Sequence, residues 1–329
     1  MWDPLVARLD FLPDFYSSPN KDLFKELPKK FDPRKCHNLQ VGTLDFYRKY
    51  NHGEIGDPLE GNVIFELQAL GSWLEVASWL NNTTFGLFGG HIGADYLERG
   101  WPNKWPMRRP IHLDFGALHP LNEDDVPGGV HYQVMLVNGV EGLEDLVQVI
   151  CKARYSALSA FVFCMKDTPN FVGIDNKNDF MFKISAPNVK KFAANVAESL
   201  AKITPTFRVT STFHDRSALA SLFGNWQFCE LGFMPLNAPN GPYIHYSVGD
   251  VVYVQPGNEV KVSMNFPWHW TKQLFFRSPL FKDIKFSHHR ETRVILNLVY
   301  LHDGKTYGMN PLDDVVRIPA SSDLLSLLE

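Results

Sequence analysis

Three apolar runs broken by short turn signals dominate the C-terminal third of the chain. "YIHYSVGDVVYV" (Tyr243 to Val254) joins two runs through Gly249-Asp250, and "YVQPGNEVKVSM" (Tyr253 to Met264) repeats the device with Pro256-Gly257-Asn258. "RETRVILNLVYLHDGKTYGM" (Arg290 to Met309) does so around "HDGK". β-Branched and aromatic residues favour strands, and glycine tolerates the positive φ of tight turns, so the pattern predicts a largely antiparallel sheet. Upstream, "CHNLQVGTLDFYRKY" alternates Leu39, Val41 and, beyond Gly42, Leu44 and Phe46, which predicts a strand bent at the glycine. "VIFELQAL", "VHYQVMLV" and "SAFVFCM" read as further strands.

"APNVKKFAANVAESLAKI" has the clearest helical period, with Pro187 at its start and Val189, Phe192, Val196 and Leu200 near one face. The first 35 residues, including "SSPNKDLFKELPKKFDPRK", read as a short helix between irregular segments. From Gly71 to about Gly129, Gly, Pro and Trp recur without a sustained period, which predicts an irregular insertion. The fold class is therefore α+β, a largely antiparallel mixed sheet with flanking helices.

A hydrophobic content of 45% in 329 residues can build a substantial core, which argues against disorder. A formal charge of −4 argues against a generally basic, nucleic-acid-coating surface but leaves room for a local basic groove. The insertion offers one candidate, because Trp101 and Trp105 interleave with Lys104, Arg108 and Arg109; a Trp-rich packing loop explains those residues equally well. Cys36, Cys151, Cys164 and Cys229 share no CxxC spacing, which fits neither a zinc cluster nor a disulfide scaffold. "MWDPLVARLDFLPDFY" places Asp and Pro where a signal peptide carries its apolar stretch, and no apolar run reaches membrane-spanning length. These features predict a soluble cytoplasmic protein.

Short motifs exclude more than they assign. The chain lacks GxGxxG before a helix, GxxxxGK[ST], HExxH and GxSxG, so Rossmann, P-loop, zincin and ordinary α/β-hydrolase chemistry are disfavoured. "GLFGGHIG" reads as loop geometry. In "HLDFGALH", His112 and Asp114 have the alternation that points two strand side chains to one face, with His119 and His131 nearby, and chance pairing among 12 histidines explains it as well. Cys36 and His37 are adjacent, and neighbouring strand residues face opposite ways, so the pair does not form a nucleophile and base without a bulge.

Two segments stand apart. "LQVGTLDFYRKYNHGEIGDPLEGN" crosses Gly42-Thr43, reaches Tyr47-Arg48 and ends in a loop holding Asp57 and Glu60. "LFFRSPLFKDIKFSHHRETRVIL" leads from Arg277 to the polar cluster His288, His289, Arg290, Glu291 and Arg293. The first resembles the "lGTL.yYR … D..EG" signature of uncharacterised bacterial abortive-infection-type proteins, and the second resembles their "YK…F..E.EyR" signature. Between them, the stretch from Ser159 to Leu200 is similar to the same proteins' middle, where a strand ending in Phe-Cys precedes another strand and a helix. Together the three islands cover about a third of the chain.

Those proteins in turn resemble mono-ADP-ribosyltransferases, which use NAD as substrate. The resemblance implies one ADP-ribosyltransferase-like domain over 1–329, with the insertion at about 71–129. It implies Glu291 as the catalytic carboxylate and His289 as an acceptor-side residue. Gly42 and Thr43 match the Gly-Thr pair of the first motif, and on this resemblance Tyr47 can be the aromatic that stacks on nicotinamide and Arg48, Arg277 or Arg293 can hold the diphosphate. The chain departs from the pattern at Val41, where the family carries Arg or His before the glycine. Breaking the nicotinamide–ribose bond develops positive charge at the anomeric carbon, which a carboxylate stabilises.

The implied partners are a macromolecular acceptor, protein or nucleic acid, and an antitoxin or phage protein, in anti-phage defence or as a toxin, with no membrane. Two rivals stay open. One is a non-catalytic sensor that binds a phage component or nucleotide in the same cleft. The other is a metal-dependent nuclease built on "HLDFGALH" and "HHRE". Without the resemblance, Glu291 and Arg293 read as an exposed ion pair on one strand face.

Overall fold

The computed structural model describes residues 19–49, 60–72, 111–113, 130–140, 143–156, 159–169, 179–209, 225–231, 238–254, 259–263, 277–302 and 305–329. Ten strands form one mostly antiparallel sheet, numbered here within that sheet in chain order. They are β1 (Leu23–Pro28), β2 (Asn38–Thr43), β3 (Phe161–Lys166), β4 (Asp179–Ile184) and β5 (Phe207–Val209). The others are β6 (Gln227–Glu230), β7 (Gly241–Asp250), β8 (Glu291–His302), β9 (Lys305–Pro311) and β10 (Val315–Pro319). Helices α1 (Pro33–Cys36), α2 (Leu44–Lys49), α3 (Val189–Lys202) and α4 (Ser322–Leu325) accompany them, so the α+β expectation holds at that level. Among the described residues no helix is long and apolar enough to cross a membrane.

β8 is the spine of this sheet. It pairs antiparallel with β7 along ten positions and with β3 along six. Its period of two separates two environments. Val294, Leu296, Leu298 and Tyr300 enter the main core with Phe161, Phe163 and Met165 of β3 and Leu39 and Val41 of β2. Glu291 and Arg293, at the other parity, face away from that core. α3 covers the core face with Val189, Phe192, Val196 and Leu200, all essentially unexposed, and the Phe192 ring stands 5.6 Å from that of Phe163.

Five further strands form a second sheet in the spatial order Glu259–Ser263, Asn62–Ser72, Leu143–Ser156, Val130–Val140, Ile111–Leu113. A two-stranded parallel pair, Val252–Val254 with Phe281–Asp283, lies beside the start of β8. Most of the predicted insertion lies outside the described residues; Ile111–Leu113, within it, is a strand against Val130–Val140.

Three expectations are corrected. Of the three hairpins, only the one around "HDGK" forms among the described residues, with His302 opposite Lys305, and Pro256-Gly257-Asn258 lies outside them. Gly249 and Asp250 are not a turn but the last residues of β7, opposite Arg293 and Thr292 of β8. The long apolar face of β8 is a better partner than the three-residue Val252–Val254 strand, which joins Phe281–Asp283 instead, while Glu259–Ser263 pairs in parallel with Asn62–Ser72. Second, the strand through Gly42 stops at Thr43, and "LDFYRK" is helix α2, begun by the Phe46 amide donating to Thr43 Oγ1 at 3.1 Å and closed by an Asp45–Arg48 ion pair. Third, Leu23–Pro28 is strand β1 rather than helix, paired over six residues with β4. Leu23 and Leu27 suit either period, and a partner far along the chain decides between them.

Phe192→Ala removes an unexposed ring between α3 and the sheet, and should cost about 3–5 kcal/mol, whereas the exposed Lys190→Ala should be near neutral. Urea denaturation of the two variants checks this.

Candidate functional site

β3 is bordered on one edge by β8, with Glu291 opposite Lys166. On the other edge, Thr43 and Gly42 of β2 pair with Phe161 and Val162, and Phe24 of β1 pairs with Lys166. Phe163, Cys164 and Met165 lie between these contacts, and among the described residues no strand pairs with them on that edge. β1 and β2 thus part company, and a cavity of about 290 Å³ opens at the split. Cys164, Met165 and Lys166 line one side, Phe24, Lys25 and Glu26 another, and Tyr47, Glu60, Lys282, His289, Glu291 and Arg293 complete the described wall with Thr168.

At its centre is a buried network of two carboxylates and two cations. Lys282 Nζ donates to Glu291 Oε1 at 2.7 Å and lies 3.6 Å from Glu60 Oε1. Arg293 donates Nε to Glu291 Oε2 at 3.0 Å, pairs with Glu291 again through Nη2, and bridges to Glu60 Oε1. Its Nη1 donates to the Pro279 carbonyl at 2.6 Å. Arg293 and Lys282 are 2% exposed and Glu60 1%, so these are not the solvated pairs that contribute little. His289 Nδ1 completes the shell 3.0 Å from Glu291 Oε1. Burial alone would raise the Glu291 carboxyl, but Arg293, the His289 hydrogen bond and Lys282 outweigh it and hold the group well below the usual carboxylate range.

The local sequence explains how these groups meet. His289 ends a 3-10 turn, Ile284–His289, and is not on the strand, which corrects the expectation that it shares a strand face with Glu291. Arg290 between them takes the left-handed conformation at φ 48°, and this reversal brings both side chains to one wall. The Glu291 amide donates to the Tyr253 hydroxyl at 3.0 Å, fixing the start of β8. Burial pushes the Tyr253 phenol up to about 12, so the hydroxyl stays protonated. Glu60 is delivered by Gly61, whose φ of 73° turns the chain into Asn62–Ser72 while its amide donates to the Phe281 carbonyl at 3.2 Å. Glu60 Oε2 is buried without a hydrogen-bond partner among the described residues.

Tyr47 reaches the cavity from α2. Its ring lies so close over β2 that a Cβ on residue 42 would stand 3.0 Å from Cε2, which is why glycine occupies the position. Burial raises the Tyr47 phenol above its ordinary value, and the Cys164 thiol is likewise raised, chiefly by burial. Cys164 is therefore a neutral thiol rather than a thiolate nucleophile.

Four of the eight sequence-predicted site residues, Tyr47, His289, Glu291 and Arg293, line this one cavity. Gly42 supports the Tyr47 ring, and Thr43 caps α2. Arg48 and Arg277 are outside the described lining: Arg48 donates to the Glu60 carbonyl at 2.6 Å and to Asp45 at 2.8 Å, and Arg277 is buried. Lys282, Lys25, Lys166 and Tyr253 carried no signal, because a single lysine or tyrosine in a short strand reads as surface. Glu60 had one, the Glu-Gly pair. The Cys36 thiol turns to Asn38 rather than to His37. His112 is in a strand, Asp114 and His119 lie outside the described residues, and among those described no three His, Cys, Asp or Glu side chains gather as a metal site.

Compared with protein-family models, curated proteins and solved structures, the chain matches none.

Arg293→Met should destabilise the protein by about 3–5 kcal/mol, because it strands two carboxylates in a buried site; denaturant titration reads this. The Glu291 contribution should be complete above about pH 4.5, the ordinary value, and fade as pH falls from there toward the depressed folded value. Asp22 and Glu329 are depressed too and remain in both proteins, so the stability difference between wild type and Glu291→Gln, measured from pH 7 to pH 3, should shrink through that segment. Arg290→Gly should leave stability within about 1 kcal/mol of wild type, whereas Arg290→Val should cost on the order of 1–2 kcal/mol more, since only the former relaxes the left-handed residue.

Proposed function

We propose that this chain is an NAD-cleaving, ADP-ribosyltransferase-like enzyme whose catalytic carboxylate is Glu291. The observation that carries the reading is that Glu291 and Tyr47, from opposite ends of the chain, line one cavity. Near 290 Å³ the cavity is at the small end of ligand sites, enough for the nicotinamide ribose with the rest of the dinucleotide at the mouth. Tyr47 presents an aromatic surface to the nicotinamide, and its neutral hydroxyl adds no charge against the leaving group.

Glu291 is anionic at neutral pH by the balance given above, as a group that stabilises an oxocarbenium-like state must be. The C1′–N bond breaks with its electron pair leaving on nicotinamide. An acceptor nucleophile then bonds to C1′ and gives up its proton. A protein or nucleic-acid acceptor fits the reading, and the setting would be anti-phage defence or a toxin with a cognate antitoxin. Glu291 already receives four hydrogen bonds, two from Arg293 and one each from Lys282 and His289, so a ribose hydroxyl must replace one of them. His289 is the exchangeable partner, because it is 17% exposed whereas the two cations are locked in the network. Its displacement would leave the ring free beside the acceptor.

The same four bonds favour a second reading. A carboxylate whose acceptor positions are full, on a chain with Val41 where the family has Arg or His, suits a sensor that binds nucleotide without turning it over.

Labelled NAD incubated with the protein and an extract of infected cells should release nicotinamide and label a macromolecule. Glu291→Gln should lower release by on the order of 10²–10³-fold, with thermal melting used to show that the variant is folded. Wild type that binds NAD but releases no nicotinamide would move the assignment to the sensor. No binding at all would sink both.

A further inference from the structure

The arginines suggested for the diphosphate are engaged elsewhere or outside the described lining. Arg293 is spent on Glu60 and Glu291, and Arg48 on Asp45 and the Glu60 carbonyl. The described wall nevertheless holds four cations (Lys25, Lys166, Lys282, Arg293) against three carboxylates (Glu26, Glu60, Glu291), a net positive charge. Lys282 and Arg293 balance Glu60 and Glu291 inside the network. Lys25 and Lys166 remain against Glu26, at the split between β1 and β3, and among the described residues neither lysine is within ion-pair distance of a carboxylate.

We propose that Lys25 and Lys166 form the seat of a phosphate pair, so that the cavity takes a nucleoside diphosphate group with its phosphates at the β1–β3 split and its sugar toward Glu291. The identity of the whole ligand rests on the NAD reading; the phosphate chemistry does not.

Three features support the seat. Phe24 is paired with Lys166 across the split and shares its face, so Lys25, one residue on, stands at the other parity, and the two lysines reach the cavity from opposite faces of the split. The Lys25 ammonium lies 5.1 Å from the Phe163 ring centroid, a cation–π contact that orients it while supplying little of the charge compensation a carboxylate would. Burial, first, and the Lys166 charge, further down, pull Lys25 below its ordinary value, against the opposing influence of Glu291 and Glu26. Lys25 and Lys166 exceed the remaining carboxylate, Glu26, by one positive charge, and in a partly desolvated cavity that excess is what a phosphate relieves. Thr168, exposed at the same rim, adds a hydroxyl donor.

The test is calorimetric titration of the full chain with ADP, inorganic pyrophosphate and adenosine, for wild type, Lys25→Met and Lys166→Met, with Lys166→Arg as a charge-retaining control. ADP should bind on the order of tenfold or more tighter than adenosine, and each methionine variant should lose that advantage by about tenfold. Adenosine affinity and Lys166→Arg should stay close to wild type, and melting temperatures show that the variants are folded. Lys166→Met, at the half-buried end of β3, decides the matter alone if Lys25→Met fails to fold. ADP that binds no better than adenosine, or equally well to the methionine variants, overturns the seat. Nicotinamide release by the same proteins separates the two ideas. Lysine-dependent ADP binding without release leaves the seat and removes NAD turnover. Release unaffected by the methionine substitutions leaves turnover and removes the seat.

Discussion

The buried quartet of Glu60, Lys282, Glu291 and Arg293 is the constraint around which this molecule is arranged. Its members come from the turn before Asn62–Ser72, from the small parallel pair and from the start of β8, so three separate pieces of chain must arrive before all four charges are compensated. A buried pair of this kind is weak evidence for stability, because the desolvation of each ion offsets much of the attraction. Its strength is in specificity. Removing any one member leaves a charge stranded in a site whose members are 1–10% exposed, so only the registered arrangement is tolerable. Gly61 and Arg290, both at positive φ, are the backbone conformations that make that arrangement reachable.

The second constraint is the divided edge of β3. A continuous sheet would have paired Phe163, Cys164 and Met165 and left no room for a ligand. Here β2 and β1 each take one end of the strand and separate in the middle. β1 can leave because its six-residue pairing with β4 satisfies its backbone elsewhere, and β2 can because β10 holds its outer edge over five residues. The cavity is thus a product of topology, while its charge is a product of side chains that have no role in the core.

This division explains what was legible in the sequence. α3 was readable because its apolar stripe has one period and one face to cover, and the "HDGK" hairpin because its partners are neighbours in the chain. The Gly249-Asp250 turn failed because an equally apolar strand, far along the sequence, competes for the same edge. α2 was taken for strand because Leu44 and Phe46 alternate, and the signal against it, Thr43 capping Phe46 with Asp45 and Arg48 three apart, is a short-range one that alternation masks. In the site, Glu291, Arg293 and Tyr47 were visible as polar or aromatic residues in unusual positions. Lys282 was invisible, since nothing local marks a lysine that will be 2% exposed until its two carboxylate partners are in place.

The distinction between turnover and recognition rests on one exchange. Arg293, the His289 hydrogen bond and Lys282 hold Glu291 well below the usual carboxylate range, so in the proposed reaction its part is electrostatic rather than that of a general base. An electrostatic role needs a carboxylate oxygen directed at the developing charge, and both oxygens are turned to partners in this arrangement. His289 alone can yield its place, for it sits at the end of a turn and not within a strand, with the His288 and Phe286 rings at 4.3 and 5.6 Å and Lys282 Nζ 3.4 Å from its Nδ1. If His289 moves when ligand enters, Glu291 gains one free acceptor position while remaining anionic, and the cavity has the group that glycosidic cleavage requires. If it stays, the same cavity holds a phosphorylated ligand beside a sealed carboxylate, and the chemistry stops at binding.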